Sequence, residues 1–252
     1  MTHANHLESE QQTRENLAAL YRILNRYGMS DLANQEVAAR IGERPDHYLV
    51  HPYGSFYDEM TASSLVKIDK QGEPLSKNSP WLNDGGQNLA KWILGKRPDV
   101  NYFVHGHCES IMAVSATVDG LLPISQPAIY LEHLVGYIDY AFTEDDEFGE
   151  KFMSHIAQRD ILISHNHGYY CLGRTAQEAF FRAYYLRQAC QVQIKALSMV
   201  GGDKSRLRLV ERDLGNNYRD AMYDSEDYNY DGKTEWQGML RWLEKHCADY
   251  KT

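Results

Sequence analysis

VNYFVHGHCES, residues 100–110, is the stretch from which the rest of the chain is best read. Val100 to Val104 has the apolar, β-branched and aromatic character of a buried strand, and it delivers His105 and His107 at its end. Strand side chains alternate with a period of two, so residues i and i+2 face the same way. His-x-His in an extended segment therefore aims two imidazoles at one point, and Gly106 between them adds no bulk. A second apolar run, ILISHNHGYYCL at 161–172, carries His165 and His167. One imidazole from it completes a three-histidine set with an open coordination position, which is what a catalytic zinc requires. A single histidine is more often a hydrogen-bonded structural residue than a ligand. His47, His51, His133, His155 and His246 are read that way. Cys108 follows His107, and its thiol points to the other side of the strand, so it is read as packing.

The bulk properties narrow the function. A chain of 252 residues, 43% hydrophobic and 24% charged, has the composition of an ordinary globular protein able to bury a sizeable core. A formal net charge of −9 argues against nucleic acid or an anionic membrane surface as partner. No apolar run reaches membrane-spanning length, and the first residues do not read as a signal peptide. The four cysteines, Cys108, Cys171, Cys190 and Cys247, have no paired spacing, which fits reduced thiols in a cytoplasmic protein.

Along the chain, residues 1–12 read as polar and frayed. Thr13 reads as the N-cap of a helix with Leu17, Leu20, Leu24 and Tyr27 on one face, stopped by Gly28. NQEVAARI (34–41) and HYLVHPYG (47–54) read as strands flanking a GERPD turn, and LVKID (65–69) as a third. Residues 73–86 read as a loop, followed by a helix at 87–96. After His107, SIMAVSAT reads as a helix and LLPISQPAIYL (121–131) as a strand. Residues 145–158 form an amphipathic helix with acids in the first turn, as the helix dipole favours. Thr175 and Glu178 make a capping box. It opens a long helix whose stripe of Ala179, Ala183, Leu186, Cys190 and Ile194 is core by its periodicity, ended by Gly201-Gly202. The tail from 203 is acidic and tyrosine-rich and closes in a helix at 235–246, expected to pack on its own subunit or a neighbour. With no repeat and no linker, a single α/β domain over 1–252 is expected, with 203–252 as an extension.

YGSFYDEMTASSLVKID (53–69), KRPDVNYFVHGHCESIMAVSATVDGLLPISQPAIYLEH (96–133), SHNHGYYCLGRTAQEAF (164–180) and LRQACQVQIKAL (186–197) together resemble the class II aldolase/adducin family, in order and spacing. The resemblance implies a three-layer α/β/α sandwich around a mostly antiparallel sheet, and a homotetramer with sites at subunit boundaries. It also implies a divalent metal, usually zinc with manganese or iron as alternatives, held by His105, His107 and His167. His165 is then the extra histidine of the HNHG piece.

The departures bear on function. In the sugar-phosphate aldolases of the family, an acidic acid/base residue falls at the position occupied here by Gly86. The two phosphate-binding serines before it are replaced by Asp84 and Gly85, and the phosphate loop near the first strand by residues 35–40, including Glu36. A sugar phosphate is therefore not expected as substrate, and the pattern is similar to the adducin-like branch. Loss of a positioned base removes a factor of about 10²–10⁴ from a retro-aldol cleavage, whereas decarboxylation has no hydroxyl proton to remove. The expected function is a metal-dependent carbon–carbon lyase. Its favoured reaction is decarboxylation of a small hydroxy, oxo or hydroxy-aromatic acid, with Glu109 and Asp84 as stand-in acids. Arg40 and Gly86 are the candidate substrate-contacting positions. The alternative is a non-catalytic, adducin-like binding or scaffold protein.

Overall fold

The computed structural model describes residues 8–140, 146–223 and 232–252. Parts of three sequence readings lie outside these residues: the frayed 1–7, Asp145, and the acidic stretch 224–231. Among the described residues the fold is α/β, a mixed sheet of seven strands with eight α-helices. The helices and strands fall into two compact units, Met1–Phe103 with Gly173–Ala176 and Gln237–Thr252, and Val104–Leu172 with Gln177–Trp236.

The first unit contains α1 (Glu10–Arg26), β1 (Glu36–Ile41), β2 (Arg44–Val50), β3 (Val66–Asp69) and α2 (Asp84–Lys96). It also holds the first two residues of β4 (Tyr102–Gly106). Strands β1, β2 and β3 pair antiparallel. All six residues of β1 are buried, the mark of a strand covered on both faces, and α1 and α2 pack on it. The α1 helix starts earlier than its sequence suggested. Ser9 is the cap and accepts from Gln12 N–H, while Thr13 lies inside the first turn and donates its hydroxyl proton to the Ser9 carbonyl. The β1–β2 turn is also tighter than GERPD. A register shift after Arg40 pairs Ile41 with Arg44, which lets Pro45 enter a strand where its missing N–H does no harm. Helix α2 begins three residues before the expected Gln87, because Asn83 caps it by accepting from Gly85 N–H. Glycines at 85 and 86 had the appearance of a loop, but here they form a helix's first turn.

The second unit holds the rest of β4, α3 (Glu109–Ser115), α4 (Gln126–Leu131), β5 (Val135–Ile138), α5 (Asp146–Ile156) and β6 (Ile161–Ser164). Then come β7 (Gly168–Gly173), α6 (Ala176–Met199) and α7 (Arg212–Tyr223). Strand order across the sheet is β3-β2-β1-β4-β7-β6-β5. Strands β5 and β6 are parallel, which requires a crossover, and α5 is that crossover. Strands β6 and β7 form an antiparallel hairpin, so the run 161–172 is two strands joined by a turn. The expected strand at 121–131 is corrected to helix α4. Ser125 caps it by accepting from Ala128 N–H, and Pro127 occupies an early position where a proline costs no hydrogen bond. The strand comes later, at 135–138. On α6 the stripe is buried except for Ile194, which is 38% exposed near the helix end. Gly201 and Gly202, at φ +66° and +82°, end that helix in the left-handed region.

The terminal helix, α8 (Lys233–His246), runs from the second unit into the first. Its last residues pack on the chain itself. Tyr250 is buried, its carbonyl accepts from Ala62 N–H, and Asp249 pairs with Arg22 at 2.7 Å. The Arg26 guanidinium lies 3.6 Å from the centre of the Trp242 ring.

Candidate metal centre

The second unit brings three imidazoles together. His105 is the last residue but one of β4, buried at 6% exposure; His107 lies one residue past the strand; His167 sits in the β6–β7 turn. Their ligand nitrogens all lie within 4.8 Å of one another, and His107 Nε2 is 3.0 Å from His167 Nε2. Two nitrogens on a tetrahedral zinc with bonds near 2.0–2.1 Å stand about 3.3 Å apart. The triad is thus positioned to bind a metal.

Local structure fixes each ring. His105 Nδ1 is 3.0 Å from the Tyr169 carbonyl, an acceptor only. The proton therefore sits on Nδ1 and Nε2 keeps its lone pair for a metal, a familiar supporting arrangement around metal-bound histidines. Tyr170 stacks on the same ring at 4.4 Å and Phe152 packs on Tyr170. Burial, with His107 and His167 alongside, holds the His105 pKa well below the usual histidine range. Burial, then His107, lowers His167 to about 4. Neutral imidazoles are the form that ligates.

The turn that carries His167 is pinned by a residue the sequence did not single out. Ser115, buried at the end of α3, accepts from Asn166 N–H through its hydroxyl, and its carbonyl accepts from His165 Nδ1 at 2.7 Å. Asn166 has φ +59°, which Asn tolerates better than most residues. His165 is thereby a structural histidine, stacked on Tyr137. Gly168 permits the close approach: a Cβ there would meet His107 Cδ2 at 2.9 Å and press on the Gly106 carbonyl. Tyr140, also not anticipated, places its ring 4.7 Å from that of His167 and is half exposed.

The other candidates are placed differently. Glu109 is exposed in the first turn of α3, and Asp84 is exposed in the first turn of α2, both positions that the helix dipole favours for acids. Asp84, Gly86 and Arg40 belong to the first unit, and Glu109 with the three histidines to the second. Arg40 is engaged within the first unit. Its guanidinium is buried and donates to the carbonyls of Pro45, Leu94, Arg97 and Val100. Two of these carbonyls, Leu94 and Arg97, lie at the carboxyl end of α2. Burial holds its pKa below the usual arginine value.

Gly86 is filled from elsewhere. A Cβ at 86 would press on Glu36 Oε2 and lie 2.6 Å from Glu36 Cδ. Glu36, at the start of β1, is 4% exposed, and its Oε2 lies 3.6 Å from His51 Nδ1. Tyr21 donates its hydroxyl proton to the Val37 carbonyl, so the proton between Tyr21 and His51, 3.1 Å apart, belongs to His51 Nδ1. Glu36 Oε1 and His51 Nε2 are buried and have no hydrogen-bond partner among the described residues. Fifty residues separate Glu36 from Gly86, so no local pattern signals the pair.

The class II aldolase and adducin N-terminal domain profile matches residues 15–194. A Caulobacter vibrioides protein bearing a class 2 aldolase name is 33% identical over 244 residues, 96% of this chain and 93% of that one. Beta-adducin of Rattus norvegicus is 31% identical over 249 residues, which is 94% of this chain but 34% of the adducin. An aldolase II superfamily protein from Pseudomonas syringae has a TM-score of 0.88 at 28% identity, covering 97% of this chain and 96% of its own. L-fuculose 1-phosphate aldolase from Glaciozyma antarctica PI12 shares the fold, with a TM-score of 0.81 at 19% identity, covering 96% and 93%. With a family profile spanning most of its length and a full-length relative one-third identical, this chain belongs to the class II aldolase and adducin family.

Proposed function

We propose that this protein is a divalent-metal-dependent carbon–carbon lyase, with zinc the best match and manganese or iron as alternatives. The observation that carries the reading is the converging triad of His105, His107 and His167, with the His105 Nδ1 proton held by a backbone carbonyl. A protein that only binds partners has no physical need for three converging imidazoles. Imidazole donors suit zinc and iron better than the oxygen-preferring metals. A metal bound there would act as a Lewis acid toward negative charge developing on a substrate oxygen. The chain's own contribution is to hold the three rings. Ser115 fixes the turn, Tyr169 fixes the His105 tautomer, and Tyr170 covers its face.

The proposed substrate is a small acid with a carboxylate beside a hydroxyl or oxo group, and the favoured reaction is decarboxylation. Gly86 and Asp84 stand where sugar-phosphate aldolases of the family carry their acid and a phosphate-binding serine, which supports this choice over a sugar phosphate. We further propose a homotetramer and a cytoplasmic location; no helix among the described residues is long and apolar enough to cross a membrane. A second reading, a non-catalytic adducin-like protein, draws on the adducin relatives, of which this chain spans only about a third. Metal-loaded protein assayed against hydroxy, oxo and hydroxy-aromatic acids tests the choice. Release of carbon dioxide or of an aldehyde by wild type and not by His107→Ala supports the lyase. Stoichiometric metal binding with no turnover of any of these acids favours the second reading.

A further inference from the structure

A cavity of about 500 Å³ lies within the first unit, beside β3 and the segment that folds back on it. The alternation of β3 buries Val66 and Ile68 and leaves Lys67 half-buried on the cavity wall. Pro74 bridges to Ile68, and Leu75 N–H donates to the Lys67 carbonyl, which brings the turn 76–79 to the same cavity. Arg14 of α1 lines another side. Lys67 and Arg14 are the charged residues of the lining. No acidic side chain is among them, in a chain whose formal net charge is −9.

One carboxylate outside the lining holds the two cations side by side. Glu10 Oε1 accepts from Arg14 Nη2 at 2.9 Å, and Oε2 accepts from Lys67 Nζ at 2.9 Å. Burial would raise the Glu10 pKa, but the hydrogen bonds from Lys67 and Arg14 outweigh it and hold the group below its usual value. One negative charge against two positive charges leaves the wall net positive. Arg14 also donates to the carbonyls of Ala62 and Leu65, so its guanidinium is fixed before any ligand arrives. Ser76 and Asn78 stand at the cavity too, and their side chains have no hydrogen-bond partner among the described residues. Leu65, Leu75 and Pro80 add apolar surface. The volume falls among those of small-molecule sites, roughly 300–1,000 Å³.

We propose that this cavity binds a small phosphate monoester, its phosphate on Lys67, Arg14, Ser76 and Asn78 and its organic group on Leu65, Leu75 and Pro80. Ammonium, guanidinium, hydroxyl and amide donors together satisfy the several acceptor oxygens of a dianion. A carboxylate offers the same donors two oxygens and a single charge, and binds more weakly. The lining includes none of His105, His107 and His167, so this ligand is a second one beside the acid proposed as substrate.

The test is calorimetric titration of the full chain with phenyl phosphate at low ionic strength, with inorganic phosphate and benzoate for comparison. Phenyl phosphate should bind once per chain and more tightly than either of the others. Lys67→Gln should weaken it by about tenfold or more, the effect of losing a charge-assisted hydrogen bond. Ser76→Asp places a carboxylate at an exposed turn position, which spares the fold, and should abolish binding. That variant decides the matter if Lys67→Gln folds poorly. Lys70→Gln removes a cation that does not line the cavity and should change nothing, and neither should His107→Ala. Equal weakening by Lys67→Gln and Lys70→Gln would mean diffuse attraction and overturns the proposal. So does binding that Ser76→Asp leaves intact or that His107→Ala abolishes, and so does inorganic phosphate or benzoate binding as tightly as phenyl phosphate.

Discussion

At the scale of single residues, Gly86 and Gly168 make sharp predictions because each takes a space that a Cβ would contest. Gly86→Ala would put a methyl 2.6 Å from Glu36 Cδ, and we expect it to lower stability by about 1–3 kcal/mol in urea unfolding. Gly86→Glu would press a second carboxylate against Glu36 and should lower stability at least as much. Gly168→Ala should displace His107, and weaker metal binding with a nearly unchanged far-UV spectrum is the expected result. A pH effect belongs at this scale too. Burial, then Arg219 and Arg182, lowers His133 to about 4 from 6.5. The folded state therefore binds this proton less readily than the unfolded chain does. Its contribution to stability is complete above pH 6.5 and falls as pH drops toward 4. Denaturant midpoints of wild type should decline more over that window than those of His133→Gln; equal slopes would contradict the assignment. The convergence of His105 and His107 was legible in the sequence from the strand alternation that leads into them. Glu36 was not, since its partner at 86 meets it only through the packing of β1 against α2. The setting of Arg40 was not legible, because the carbonyls at the end of α2 that it donates to lie more than fifty residues along the chain.

At the scale of elements, the terminal segment is the most testable. Tyr250 is fully buried and two backbone hydrogen bonds tie 250–252 to residues 62 and 63. Tyr250→Ala should cost about 3 kcal/mol, read as a drop in the denaturant midpoint. An unchanged midpoint would mean that this segment does not hold in solution. The α3 end and the β6–β7 turn are linked through Ser115, so Ser115→Ala should loosen the turn carrying His167 and weaken metal binding more than it lowers Tm. Elements with a strong period or a paired stop signal were legible, such as α1, β3 and α6. The misread ones have local signals that point two ways. Residues 121–131 hold two prolines and alternating apolar residues, and only the Ser125 cap reveals α4. The glycine pair at 85–86 reads as a loop, although Asn83 can start a helix there.

At the scale of the whole molecule, the chain belongs to the class II aldolase and adducin family and carries three histidines positioned to bind a metal. Light scattering of the purified protein checks assembly, with a tetramer as the proposed state and a monomer at micromolar concentration against it. The family and the α/β class were legible because order and spacing of long motifs survive substitution. Reaction choice was less so, because it turns on single side chains whose neighbours come from distant parts of the chain. The most direct test of the central claim is elemental analysis of the full chain after reconstitution with zinc, iron and manganese in turn. The account predicts one divalent ion per chain in wild type and none in His107→Ala, with the variant still folded. No stoichiometric metal in wild type, or full retention in His107→Ala, would contradict it.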